Sequence, residues 1–260
     1  MDQIRDKLTD LETYEALLLE RDQLEKEADS IWIAYVQEFG ELEAKLFERK
    51  IDSIRRKKAI AFAQQRINRG EAIDPAEMKK YLENVTAEHR RKLFGMLMRN
   101  QAAADAGTAS TYELKRSKEL YRKLAKLLHP DLNPETDRQP SLQELWLRVA
   151  EAYHASDIKA LTELTILVRR ELKELGLGDI QVDVPDLKDK IDEITEEIGR
   201  IKRTKPYCLK DLLEDEDAVK AKKVEMELEL ASYDDYCRKL DETLRIMTGA
   251  GEGEMPWATD

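Results

Sequence analysis

Residues 3 to 69 contain no proline and a single glycine, Gly40. Apolar residues recur along this run at helical steps: Ile4, Leu8, Leu11 and Leu18, then Leu24, Ile31, Tyr35, Leu42 and Leu46. Glu, Lys and Arg fill the other positions. An apolar stripe of this period on a charged background predicts one long helix lying against other helices. Gly40 is the weak point, where a bend is expected. The basic stretch "ERKIDSIRRKK" within the run reads as a solvated helix face.

Composition narrows the class further. Charged residues make up 38% of the 260-residue chain and aromatics 6%, with 10 Gly and 7 Pro. That mixture suits long, solvent-facing helices better than a β-protein. Regularly spaced Leu and Ile separate it from a disordered chain of similar charge. The formal charge of −11 argues against broad binding to nucleic acid or anionic membrane. The segment "MDQIRDKLTD" lacks the apolar core of a signal peptide. No stretch approaches the roughly 18 apolar residues of a membrane span. Cys208 and Cys237 have neither close pairing nor metal-ligand spacing, as expected for reduced thiols in the cytoplasm.

Breaks in the pattern divide the chain. "NRGEAIDPAE" ends the first helix at Gly70 and starts the next at Asp74-Pro75, an N-cap followed by proline in the first turn. That second helix is expected to reach about Ala106, with a restart at Thr86. Ser110 or Thr111 can cap a helix over 112–128. "HPDLNPETDRQP", residues 129–140, reads as a loop, because three prolines in twelve residues exclude helix there. The next helix starts near Ser141 and carries Leu145, Trp146, Val149, Ala152 and Tyr153 on one side. "ASD" interrupts it, and Ser156 or Asp157 caps a further helix ending at Leu175. "DIQVDVP" reads as extended. Leu187, Ile191, Ile194, Ile198 and Ile201 then form a heptad stripe. A last helix is expected over 208–247, with Val219, Leu228, Leu240, Leu244 and Met247 on its apolar side, before a frayed tail. The C-terminal stripes can pair with the N-terminal helix of the same chain or of a second copy.

The helix over 112–128 is basic, although the chain is acidic. Residues 111 to 128 hold six Lys or Arg and two Glu. Lys115, Lys118, Arg122 and Lys126 are spaced three, four and four, so they share a face. Leu114, Tyr121, Leu124 and Leu128 form the apolar side. A cationic face beside a buried one suits an acidic protein partner, with charge setting orientation and on-rate.

Tyr121-Arg122-Lys123-Leu124-Ala125, then His129-Pro130-Asp131 and Asn133-Pro134, resemble the second helix and loop of a J-domain. Trp146, Val149, Glu151-Ala152-Tyr153 and Asp157 resemble its third helix. The resemblance covers about residues 112–157. The Tyr-Tyr-x-x-Leu-Gly signature of the family's first helix does not stand ahead of Tyr112; the upstream segment "EHRRKLFGMLMRNQAAADA" is the candidate to pack in its place. The Gly/Phe-rich linker and the Cys-rich zinc module of full-length members are absent too.

J-domain proteins are co-chaperones that stimulate ATP hydrolysis by DnaK-type heat-shock chaperones, and are not enzymes. The resemblance implies that His129, Pro130 and Asp131 form the stimulating loop. It implies that Lys118, Tyr121, Arg122, Lys123 and Lys126 contact an acidic chaperone surface. It places Leu124, Leu128, Trp146, Val149 and Tyr153 in the hairpin core.

The expected fold is all-α: long coiled-coil helices flanking a J-domain-like antiparallel hairpin. Its parts are an N-terminal helix over 1–70, a helical connector over 71–110, the hairpin and following helix over 111–178, C-terminal coiled-coil helices over 185–248, and a tail over 249–260. The expected partners are a DnaK-type chaperone and a client or second copy held by the coiled coils. The alternative is a coiled-coil adaptor whose hairpin binds without stimulating ATPase. No cofactor is expected: His89, His129 and His154 are too few and too scattered for a metal site, and no Gly-rich phosphate loop appears.

Overall fold

The computed structural model describes residues 2–106, 109–177 and 186–249, with side chains from residue 9 onward. The side chains of Ile4 and Leu8, the extended piece within 179–185 and the tail over 250–260 lie outside the described residues. Among those described, all regular structure is helical and no strand occurs. The order is α1 (Asp2–Arg69), α2 (Pro75–Asp105), α3 (Thr111–Leu128), α4 (Glu135–Arg138), α5 (Pro140–His154), α6 (Ile158–Glu174), α7 (Leu187–Arg203), α8 (Lys210–Glu214) and α9 (Glu216–Thr248). Among the described residues no helix is long and apolar enough to cross a membrane.

The chain divides into two compact units. One combines Met1–Ile31 with Gly107–Cys208, and the other combines Trp32–Ala106 with Leu209–Asp260. Helix α1 contributes to both.

In the first unit, α3, α5 and α6 share one core. Leu120, Leu124 and Leu128 of α3 pack with Leu142, Leu145 and Val149 of α5 and with Leu161, Leu164 and Val168 of α6. Helices α3 and α5 run antiparallel, because rising numbers on one meet falling numbers on the other. Tyr121 stacks on Tyr153 at 4.0 Å between ring centroids, whereas His129 meets Trp146 at 4.9 Å. The heptad of α7 finds its partner within the chain: Ile194 and Ile198 pack with Tyr14, Leu18 and Leu24 of α1.

In the second unit, α2 and α9 pack on the later part of α1. Ala59, Ala63, Met78, Leu82 and Leu244 form a joint core. Arg56 Nε reaches Asp241 Oδ1 at 2.9 Å, and Arg49 Nε reaches Asp234 Oδ1 at 2.8 Å. Gly40 is a contact point rather than a break. A Cβ there would come within 2.6 Å of Asn100 Oδ1. Asn100 Nδ2 donates to Gly40 O at 2.7 Å, and α1 continues unbroken through the position.

Several boundaries differ from the sequence expectation. Thr86 does not restart α2, because its buried hydroxyl donates back to Leu82 O at 2.7 Å. Helix α5 begins at Pro140, with Gln139 at the cap position and no side-chain cap from Ser141. The proline-rich loop contains one helical turn, α4, because proline is tolerated at a helix start, where its missing N–H costs nothing. The last helix is divided at Asp215, whose carboxylate accepts from the amides of Asp217 and Ala218 and so caps α9. Other signals match: Gly70 takes φ +68° after α1, Asp74 accepts from Ala76 N, and Asp157 caps α6 through Ala160 N.

Replacing the fully buried Leu124 by Ala should cost about 3 kcal/mol in urea unfolding of the first unit. Leu147→Ala on the exposed side of α5 should cost less than about 0.5 kcal/mol.

Candidate functional site

Helix α3 is locally well specified. Ser110 Oγ accepts from Glu113 N while the Glu113 carboxylate accepts from Ser110 N, a reciprocal capping box. Its last turn closes with His129 N–H donating to Ala125 O at 2.8 Å. The loop then folds tightly on itself. His129 O accepts from the amides of Leu132 and Asn133 at 2.9 and 2.7 Å. Asn133 Nδ2 donates to Leu127 O at 2.8 Å, and its Oδ1 accepts from Glu135 N at 3.1 Å. These bonds fix the chain on both sides of Pro130-Asp131.

The tripeptide is divided, with His129 buried and Pro130 and Asp131 half-exposed. His129 is 4% exposed, with its ring edge-on to Trp146. Helix α1 lies over its other side. Arg21 Nη2 approaches His129 Nε2 at 3.2 Å, and Asp22 Oδ2 lies 3.9 Å from the same nitrogen. Asp131 N–H points to His129 Nδ1 at 3.1 Å. A neutral imidazole has one lone pair, so Arg21 and the Asp131 amide are alternative donors to it. If Nδ1 accepts, Nε2–H faces Asp22. If Nε2 accepts from Arg21, Nδ1–H faces Asp131 Oδ2 at 3.8 Å. Leu132, next in sequence after the tripeptide, is inserted among Tyr14, Leu18, Leu24, Ile194 and Ile198. Asp131 borders a cleft of about 830 Å³ that Tyr14, Arg21, Lys190 and Arg200 also line.

The expected helix-face contacts divide into two groups. Arg122 and Lys123 are exposed. Tyr121 is not on the exposed face: it is 4% exposed and donates to Asp22 Oδ2 at 2.7 Å. Its ring belongs to the apolar stripe with Leu124 and Leu128, and that periodicity turns it inward. Lys126 is engaged by Glu15 Oε1 at 2.5 Å. Lys118 is partly buried and feels the charges of Arg122 and Glu27. The expected core residues Leu124, Leu128, Val149 and Tyr153 are buried, with Trp146 half-buried beside them. Leu114 of the predicted apolar side is exposed, as is Leu127.

The residues missed at the sequence level all come from α1: Glu15, Arg21, Asp22 and Lys26. The segment beside α3 is α1, whereas the expected "EHRRKLFGMLMRNQAAADA" belongs to α2 in the second unit. Asp22 is buried and accepts from both Tyr121 and Arg21, the latter at 2.8 Å. Lys26 Nζ lies 4.0 Å from the Tyr153 ring centroid and donates to Ser117 Oγ at 3.3 Å. One signal was available: Asp22 stands four residues after Leu18, on the same face as the stripe. A charge at a stripe position is a buried polar group in search of a partner.

Burial sets the titration of this cluster. It raises the Tyr121 hydroxyl far above its ordinary range, helped by the adjacent Asp22 charge. It lowers Lys26 to about 8. Burial is the largest influence on His129 and lowers it from 6.5; Asp22, Asp131 and Asp137 pull it up, and Arg21 pushes it down. Among the described residues no group of His, Cys, Asp or Glu is placed to hold a metal ion. The two cysteines are free thiols, Cys208 exposed and Cys237 buried.

Compared with known protein families, curated proteins and solved structures, the chain matches none of them.

The His129 ring should titrate with a midpoint below 6.5 in an NMR pH series. The unfolded chain takes up this proton first, so the contribution to stability is intact above about pH 6.5 and is lost as pH falls toward the folded value. Tyr121→Phe keeps the ring stack but removes the hydroxyl from Asp22. It should cost about 1–3 kcal/mol in chemical denaturation, because a buried carboxylate loses a donor.

Proposed function

We propose that this protein is a J-domain-type co-chaperone that binds a DnaK-type heat-shock chaperone in the cytoplasm and stimulates its ATPase. The observation that carries this reading is the placement of His129-Pro130-Asp131. The tripeptide closes an antiparallel α3–α5 hairpin, and the hairpin's aromatic core reaches from Tyr153 through Tyr121 and Trp146 to His129. Sequence resemblance and hairpin geometry therefore meet at the same residues. Arg122 and Lys123 lie exposed on the helix that leads into the loop, which suits an acidic partner.

On this reading the protein is not itself an enzyme. ATP hydrolysis belongs to the chaperone, and the hairpin biases it by binding one of its states better than another. The long helices outside the hairpin then hold a client or a second copy of the chain. A second reading has its own support. The burial of His129 under Arg21 and Asp22 favours a coiled-coil adaptor whose hairpin docks without stimulating hydrolysis.

Single-turnover ATP hydrolysis by a DnaK-type chaperone separates the two. Addition of this protein should accelerate it, and His129→Gln should return it to the unstimulated rate. Equal rates with parent and variant would favour the adaptor. Stimulation should also weaken as ionic strength rises from about 0.05 to 0.2 M, through screening of the cationic face.

A further inference from the structure

Helix α1 meets the proposed chaperone-facing side of the hairpin with a row of acids. Glu15 holds Lys126, and Asp22 holds Tyr121 and faces His129; burial lowers the Lys118 ammonium, and the charge of Glu27 opposes that lowering. Rising numbers on α1 meet falling numbers on α3, so the two helices run antiparallel along this row. The contacts reach the loop as well, through Arg21 on His129 and through Tyr14 and Leu18 on Leu132. Of the eight residues assigned to the loop and the docking face, Arg122 and Lys123 remain exposed, and Lys126 and Asp131 keep exposed side chains, Lys126 while paired.

We propose that residues 14–27 of α1 are an internal acidic stand-in for the chaperone, occupying the docking face and covering His129 until a chaperone displaces them. This rests on the co-chaperone reading. The chemistry is the same on both sides: carboxylates spaced along a helix, set against Lys118, Tyr121, Lys126 and the loop histidine. Two occupants that need the same cationic residues exclude one another, so the covered state holds back stimulation in proportion to its population. Arg21 adds a lock. Its guanidinium stands against the imidazole while Asp22 holds it in place through Nε and Nη2 at 3.1 and 2.8 Å. A partner must displace Arg21 from the imidazole and Asp22 from the Tyr121 hydroxyl before His129 becomes available.

The test combines accessibility with activity in the full-length chain. Carbethoxylation of each histidine by diethyl pyrocarbonate is followed by mass spectrometry, with the half-exposed His154 as internal reference. Chaperone single-turnover hydrolysis is measured on the same samples. In the parent, His129 should react far more slowly than His154. The double variant Arg21→Ala/Asp22→Ala should raise both His129 reactivity and chaperone stimulation at least about ten-fold, since it removes both the Tyr121–Asp22 and the Arg21–His129 contacts and losing one charge-assisted hydrogen bond already shifts the population by that much. Adding His129→Gln to it should abolish the stimulation. Asp22→Asn, which keeps the side-chain shape, carries the same test if the double variant loses helicity.

Reaction of His129 in the parent as fast as His154 overturns the cover, whatever the chaperone does. A more reactive variant that stimulates no better than a parent whose own stimulation needs His129 overturns the inhibition and leaves the co-chaperone reading intact. No stimulation from either the parent or the opened variant overturns the co-chaperone reading and the stand-in with it.

Discussion

A buried carboxylate organises the first unit. Asp22 cannot remain charged inside the protein without donors, and two meet it: the Tyr121 hydroxyl from α3 and the Arg21 guanidinium from its own helix. Each donor is tied to something further. Tyr121 stacks on Tyr153 and so joins α3 to α5. Arg21 extends to His129 and to Glu197 of α7. One anion thus fixes the registry of α1 against α3 and sets the surroundings of the loop histidine. The apolar contacts of Leu18, Leu132 and Ile198 supply burial, but apolar packing alone tolerates slippage along a helix. The Tyr121–Asp22 hydrogen bond has one good geometry and therefore specifies where α1 settles along α3.

The two units treat the same helix differently. In the first, α1 offers acids and an arginine to a basic hairpin. In the second, it offers Arg49 and Arg56 to the acids of α9 and the small residues Gly40, Ala59 and Ala63 to close neighbours. The basic stretch "ERKIDSIRRKK", read from sequence as a solvated face, is in part an ion-paired face against α9. A local run of basic residues does not reveal which charges oppose one another across a contact, and Arg49 and Arg56 meet Asp234 and Asp241.

Much of the helical order was legible in the sequence, because it depends on local chemistry. Ser110, Asp74, Asp157 and Gly70 are cap residues whose role follows from their own side chains or φ angle. The hairpin core was legible for the same reason: Leu124, Leu128, Val149 and Tyr153 repeat at helical spacing, and their burial follows from it. What failed needed three dimensions. Tyr121 reads equally well as a core residue and as a contact residue, and the carboxylate that settles its place lies 99 residues away in the chain. The split at Asp215 was written in the cluster of acids, two of which start α9, but an acidic run does not say whether a preceding turn stays attached. The one-turn α4 was hidden because prolines mark helix starts as well as loops.

The loop from His129 to Pro134 has the residues that usually invite proteolysis: an Asn, an Asp and two prolines in a tight turn between helices. Here Leu132 is drawn into the cluster of α1 and α7, and the flanking amides are committed to His129 O and to Asn133. A protease acts on a locally opened, extended segment, and this segment yields one only after α1 and α7 have let go of Leu132. The same side chain that anchors the loop therefore makes its cleavage a record of how often the unit opens.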